Sequence, residues 1–242
     1  MNTQSATAPA PNLTTDGKLA GWLSLVGTII FLNFLGTYAV TTSKKTQQDT
    51  LYNYSTAIFA AVVYALMLGI VLLIAGYRPQ FPDWRGGWRP ALLAWRRPST
   101  SWLVAIGLAV AVLIGSAILI GLIDPFLHGG REQGIVPKHW MSGHAGAYAA
   151  NWVVVAGVAP FVEETTFRGL GYSLFARWGK WFAILATGIL FAASHGLLQA
   201  LPELAILGCG LAWLRSRVDS VYPGMLVHSA FNSFALASVF WH

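Results

Sequence analysis

Long apolar runs without charge alternate along this chain with short segments that hold nearly all of its charged residues. The runs cover about residues 20–42, 52–77, 101–123, 146–163 and 224–241, with a longer one from Trp181 to Leu214. A helix needs roughly 20 apolar residues to cross a bilayer. In the longest run the only charged side chain is Glu203, and Gly196 and Pro202 divide it into two short helices joined near His195 to Pro202. The pattern predicts an all-α, polytopic membrane bundle of about seven spans, or eight with one further re-entrant segment. The first run follows only Lys18 and is too long for the apolar part of a signal peptide, so it is expected to remain as a span. Within it Asn33 should bond to a neighbouring helix. Asp124-Pro125 should end the third run, and Pro160 should free a backbone carbonyl and kink the fourth just before Glu163. Residues 1–18, rich in Ser, Thr, Ala and Pro, are expected to form a mobile tail. Residues 19–145 then hold the N-terminal helices and their connections, and 146–242 form a separate core.

Composition agrees with a membrane protein. Of the 242 residues 55% are apolar and only 10% charged. The net charge of +6 does not point to nucleic acid, because the excess basic residues lie in short connections, where they set orientation. With the N-terminus inside, eleven Lys and Arg face the cytoplasm (Lys18, five arginines from Arg78 to Arg97, Arg168, Arg177, Lys180, Arg215 and Arg217) and four lie outside. This predicts a multi-pass protein of the plasma membrane with a cytoplasmic N-terminus, in contact with membrane lipids; nothing in the sequence specifies an oligomeric state. Trp84, Trp88 and Trp95 sit in the most basic connection, which reads as a broken interfacial segment. The single Cys209 allows no intrachain disulfide.

The candidate chemistry lies in the last four spans. Glu163 and Glu164 are adjacent at the end of an apolar run, where an ionisable side chain is expensive unless paired or facing a polar cavity. On a helix Glu164 and Arg168 stand four apart with the acid first, the better orientation for an ion pair. Glu163 points about 100° away, which leaves it without that partner. His195 follows Phe191-Ala192-Ala193-Ser194, and His228 and Asn232 share a helix face. A carboxylate, two imidazoles and an amide are sufficient for amide hydrolysis: a base takes a proton from water and donors hold the oxyanion. Glu163, His195 and His228 also make a candidate set for a divalent metal, zinc above all, with a fourth position open to water. Ser194 and Ser229 each adjoin a histidine in sequence, but neighbours on a helix do not face each other, so nucleophilic serine catalysis fits less well. His128, His139 and His144 lie in a loop without the spacing of a helical metal pair. Taken singly, each buried polar group is more often packing glue than catalyst. Three such groups on three spans are harder to explain that way, since each would bear its own desolvation cost.

Glu163-Glu164-x-x-x-Arg168, Phe191-x-x-x-His195 and His228-x-x-x-Asn232, in this order on successive late segments, resemble the three motifs of the CPBP family. That family comprises the CAAX prenyl endopeptidases and bacteriocin-processing enzymes, and is also called the Abi family. The resemblance covers about residues 146–242. It implies an intramembrane protease whose site is a water-filled cavity in the bilayer and whose substrate is a membrane-tethered peptide or protein. By motif position Glu163 would be the general base, His195 would help hold the attacking water, and His228 with Asn232 would stabilise the oxyanion, with Glu164 and Arg168 in support. Metal-free and metal-dependent mechanisms have both been argued for the family. The alternative from another class is a catalytically silent scaffold that binds partner membrane proteins; a proton-relay transporter is disfavoured by the lack of an internal repeat. Counting about 1.5 Å per residue from the helix ends drawn this way puts Glu163 and His228 at a similar shallow depth and His195 roughly 15 Å deeper.

Overall fold

The computed structural model describes residues 14–42, 50–76, 91–127, 137 and 139–241, and every regular element among them is helical. We number the main helices α1 (Thr15–Thr42), α2 (Tyr54–Ala75), α3 (Trp102–Leu127), α4 (the continuous helical run Ser142–Trp178), α5 (Lys180–Ala193), α6 (Leu201–Val218) and α7 (Tyr222–Ala237). Four of them, α1 to α4, are long and apolar enough to cross a membrane. The outer faces of α2 and α3 display Phe59, Leu66, Leu73, Leu103, Ile118 and Leu122. Helices that are apolar all round belong in a protein core or a bilayer, and these side chains stay largely exposed in the fold. The chain is an integral membrane protein.

Three features of the expected pattern change. The third helix runs through Pro125 to Leu127, because a proline near a helix end removes one backbone donor without breaking the many bonds before it. The fourth helix does not stop at its acids but continues to Trp178, with the ionised groups neutralised by one another inside the bundle. At the N-terminus the helix also reaches back into the stretch expected to be tail. Thr14 Oγ1 accepts the Gly17 N–H at 3.1 Å, the cap that lets α1 begin at Thr15. Of the expected interfacial segment, Arg78, Trp84, Arg85, Trp88 and Arg89 lie outside the described residues, as do Lys44, Lys45, His128, Arg131 and Lys138.

The N-terminal helices brace the later ones. Trp22 of α1 is fully buried and donates from Nε1 to Thr166 O at 2.9 Å, and its ring meets Phe167 and Phe175 edge-on. Asn33, as its position in the span suggested, bonds to a neighbour: its Nδ2 donates to Ser194 O at 2.6 Å. Gly196 turns there with φ 69°, and a Cβ on it would lie 2.5 Å from the Asn33 carbonyl carbon. Only glycine fits that contact and that φ together. Helices α5 and α6 approach just as closely, since a Cβ on Gly208 would lie 2.7 Å from Gly188 O; small residues let membrane helices pack backbone to backbone.

The segment after Ala91 is drawn into the bundle. Trp95 Nε1 donates to Thr165 Oγ1 at 3.0 Å and its ring stacks on Phe161, while Ser173 Oγ donates to Leu92 O. Arg96 and Arg215 both hold Asp219 Oδ1, at 2.7 and 2.6 Å, and clasp this segment to the α6–α7 turn. Burial alone would raise the Asp219 carboxyl, but hydrogen bonds from Arg96 and Arg215 outweigh it and hold the group below its usual value. A depressed folded value means that the clasp contributes fully above the unfolded carboxyl value, about 3.9, and is lost as pH falls through the folded one. Asp219 is half exposed, so the contribution is about 1 kcal/mol or less. In thermal unfolding of detergent-solubilised protein, Asp219→Asn should lower the midpoint at pH 7 and flatten its fall on acidification. An identical acid response in both proteins would show that the clasp plays no part in it.

Candidate functional site

The polar residues singled out by sequence meet where α4, α5 and α7 come together. Along α4 the α-helical piece Ala159–Glu164 is flanked by two π-helical pieces, Val154–Val158 and Thr165–Gly171. Such widened turns are frequent at functional sites. In the first of them Ala159 N–H donates to Val154 O. The next donor in that register would be Pro160, which has no N–H, and the carbonyl it leaves is Val155 O. Asn232 of α7 takes it, donating from Nδ2 at 2.8 Å. The carbonyl freed by Pro160 is thus the point where α7 is tied to α4, and one of the two amide hydrogens of Asn232 is spent there.

The two adjacent carboxylates separate as the helix wheel requires. Glu164 and Arg168 have no exposed side-chain surface and pair at 3.0 Å. The guanidinium also donates to Gly208 O at 2.8 Å and lies 4.3 Å from the centre of the Phe191 ring. Glu163 keeps 13% of its side-chain surface open. It is not without partners, as the spacing alone suggested: Tyr64 of α2 donates its hydroxyl to Glu163 Oε1 at 2.6 Å. His228 stands between the acids. Its Nδ1 lies 3.2 Å from Glu164 Oε1 and its Nε2 3.6 Å from Glu163 Oε2. A carboxylate bound to arginine only accepts, so Nδ1 carries the proton.

His195 follows the end of α5, its Nδ1 2.8 Å from Phe191 O. A carbonyl only accepts, which makes Nδ1 the donor and leaves Nε2 as an acceptor when the ring is neutral. The Phe191 ring, fully buried, touches both imidazoles, at 4.8 Å from His195 and 5.4 Å from His228. His195 is also within electrostatic reach of Glu163 and His228. The depth mismatch expected from sequence disappears with the true helix ends: α4 and α5 meet at the turn between Trp178 and Lys180, and Glu163 and His195 lie equally far along the chain from it.

For a metal, the candidate ligands must converge. Among the described residues no three His, Cys, Asp or Glu side chains form a group able to hold an ion. Both nitrogens of His228 face carboxylates and Nδ1 of His195 serves a carbonyl, so the set of two histidines and one glutamate is not assembled as metal ligands here. A cavity of about 620 Å³ between α3, α5 and α6 lies apart from these groups; its lining, with Ser116, Cys209 and Trp213, contains no acid or histidine.

Sequence reasoning missed Tyr64 and Trp22, and read Trp95 only as part of an interfacial segment. Tyrosine and tryptophan gather at membrane interfaces, and a phenol in the middle of an apolar span needs a hydrogen-bond partner when buried. Tyr64, ten residues from the start of Tyr54–Ala75, carried that signal.

Fold and site define a polytopic helical membrane protein with a cluster of ionisable groups inside its bundle. Residues 145–234 match the family model described as Rce1-like, Type II CAAX prenyl endopeptidase Rce1-like, and the match supports membership of the CPBP family that its motifs resemble. The match holds Glu163, Glu164, Arg168, His195, His228 and Asn232, whereas Tyr64, Trp22, Asn33 and Trp95 lie outside it. No curated protein and no solved structure matches the chain.

The unequal burial of the acids predicts unequal effects on stability. Glu164→Ala leaves Arg168 buried without its partner and should cost about 3–5 kcal/mol. Glu163→Ala removes the bond from the Tyr64 hydroxyl and should cost less, about 1–3 kcal/mol. Unfolding midpoints of the two variants in detergent check this, and equal losses would contradict the division.

Proposed function

We propose that the protein is an intramembrane endopeptidase that hydrolyses a peptide bond of a membrane-associated peptide or protein with water activated by Glu163. The observation that carries this reading is the separation of two neighbouring carboxylates: Glu164 is consumed by Arg168 in full burial, while Glu163 remains partly open beside the His228 imidazole. A scaffold has no use for an open carboxylate in an apolar bundle, where it carries a desolvation cost.

The mechanism takes His228 as the imidazolium: two carboxylates face one guanidinium, and a second ring proton, on Nε2 toward Glu163 Oε2, makes the cluster neutral. A divalent ion beside Glu163 would neutralise the carboxylate, and His228 meets that need with a residue already in place. In the reaction, Glu163 Oε2 takes a proton from water, and the hydroxide forms its bond to the carbonyl carbon. His195 Nε2 accepts the other hydrogen of that water and fixes its direction. The oxyanion meets the Nε2–H of His228 and the second amide hydrogen of Asn232. Glu163 then gives its proton to the leaving nitrogen as the C–N bond breaks, so a carboxylic acid and an amine depart and the base is restored.

The family description names prenylated CAAX substrates; for this chain the reading commits to the broader class of membrane-tethered peptides. The helix ends agree with one cytoplasmic side. Arg177 pairs with Asp16, and Lys18 Nζ donates to Ala75 O, so the start of α1 and the ends of α2 and α4 lie together. We place this end, with Arg215 and Arg217, in the cytoplasm of the plasma membrane, as the excess of basic residues directs.

A farnesylated, internally quenched CAAX peptide and a panel of lipidated peptides, followed by mass spectrometry of the products, test the activity. Glu163→Gln should abolish cleavage, a loss of at least about 1,000-fold, the scale on which general-base catalysis acts, with the unfolding midpoint kept. Full turnover by a folded Glu163→Gln protein would overturn the assignment. The same assay after exhaustive chelation, with metal content verified, should retain the rate; loss of activity restored by zinc would replace this mechanism with a metal-dependent one. Single cysteines introduced at Arg177 and Arg217 should resist an impermeant thiol reagent in intact cells, and their labelling from outside would reverse the orientation.

A further inference from the structure

The reading above uses only residues within the matched stretch, yet the shortest side-chain contact to Glu163 comes from outside it. Tyr64 lies on the inward stripe of α2 with Ala57, Met67, Val71 and Ile74, and its hydroxyl donates to Glu163 Oε1 at 2.6 Å. The contact spans the membrane region of two helices far apart in sequence, and it divides the two oxygens of one carboxylate. Oε1 is held by the phenol. Oε2 faces His228 Nε2 across 3.6 Å, too long for a direct hydrogen bond.

We propose that Tyr64 is a positioning residue for the hydrolytic reaction: its hydroxyl fixes the rotation of the Glu163 carboxylate, so that Oε2 is the oxygen presented to water. This rests on Glu163 being the base. A carboxylate on a flexible three-bond side chain samples several rotamers, and a general base works only from within hydrogen-bond reach of the proton it removes. Tyr64 restrains the carboxylate at the oxygen that does not face His228. Tyr64 does not touch the reacting water and keeps its proton throughout. The consequence for the fold is that residues 54–75 are part of the catalytic apparatus, and the matched domain is incomplete without them.

The test uses the full-length protein in detergent or nanodiscs. Tyr64→Phe removes one oxygen and keeps the ring in place. With the same quenched farnesylated peptide, and rates normalised to folded protein, kcat should fall about tenfold, the loss for one misplaced interaction of about 1.4 kcal/mol, with KM changed less than twofold. Site-specific replacement of Tyr64 by 3-fluorotyrosine, which keeps a hydroxyl of similar size, should restore the rate; a packing role would not distinguish the hydroxyl from its absence. A second readout needs no turnover. In infrared spectra the carboxylate band that disappears in Glu163→Gln should shift in Tyr64→Phe. An unshifted band, or unchanged kcat in Tyr64→Phe when Glu163→Gln is inactive, overturns the positioning role and leaves the hydrolytic reading intact. Retained turnover in Glu163→Gln overturns both.

Discussion

The ion pair between Glu164 and Arg168 is the constraint to which the rest of the bundle answers. Neither side chain has any contact with solvent, so each charge relies on protein alone. A pair of this kind rarely adds net stability over well-packed apolar residues, but losing one member is costly. The surroundings are built to keep both. Gly208 O accepts from the guanidinium, the Phe191 ring lies under it, and His228 approaches the carboxylate from α7. Helices α4, α5, α6 and α7 thus each contribute a group to one buried charge cluster. That cluster lets α4 continue through its acids to Trp178.

The same arrangement leaves Glu163 on another side of the helix with different surroundings. Its neighbours are the hydroxyl of Tyr64 and the far nitrogen of His228, and part of its surface stays open. Two residues adjacent in sequence therefore have opposite fates because the helix turns about 100° between them. The π-helical pieces on either side and the α7 anchor through Asn232 to Val155 O hold this short segment in register. Phe191 couples the two halves, since one ring contacts the buried arginine and both imidazoles.

Much of this was legible in the residues. The apolar runs located the helices, including the break of the Trp181 to Leu214 stretch into α5 and α6, and the i, i+4 spacing anticipated the Glu164–Arg168 pair. Asn33 was expected to bond to a neighbouring helix and does. What could not be read was set by contacts between distant segments. The extension of α4 past its acids depends on groups that three other helices bring to the Glu164–Arg168 pair, which no local pattern displays. The partner of Glu163 comes from α2, and nothing in the spacing of the late motifs points to an N-terminal tyrosine. The fate of the Pro160 carbonyl was half visible: that it is freed follows from proline chemistry, while its capture by Asn232 needed the fold. The helix ends mattered most, because an early stop drawn at Glu163 placed His195 at the wrong depth.

Direct attack by water distinguishes the account from covalent catalysis by Ser194, Ser229 or Cys209. The most direct measurement is a single-turnover cleavage of a peptide substrate in oxygen-18 water containing hydroxylamine, with products analysed by mass spectrometry. Attack by water held by Glu163 and His195 predicts a carboxylic acid product carrying one solvent oxygen, with no hydroxamate and no acyl group on the protein. A hydroxamate product, or an acylated serine or cysteine, would contradict it.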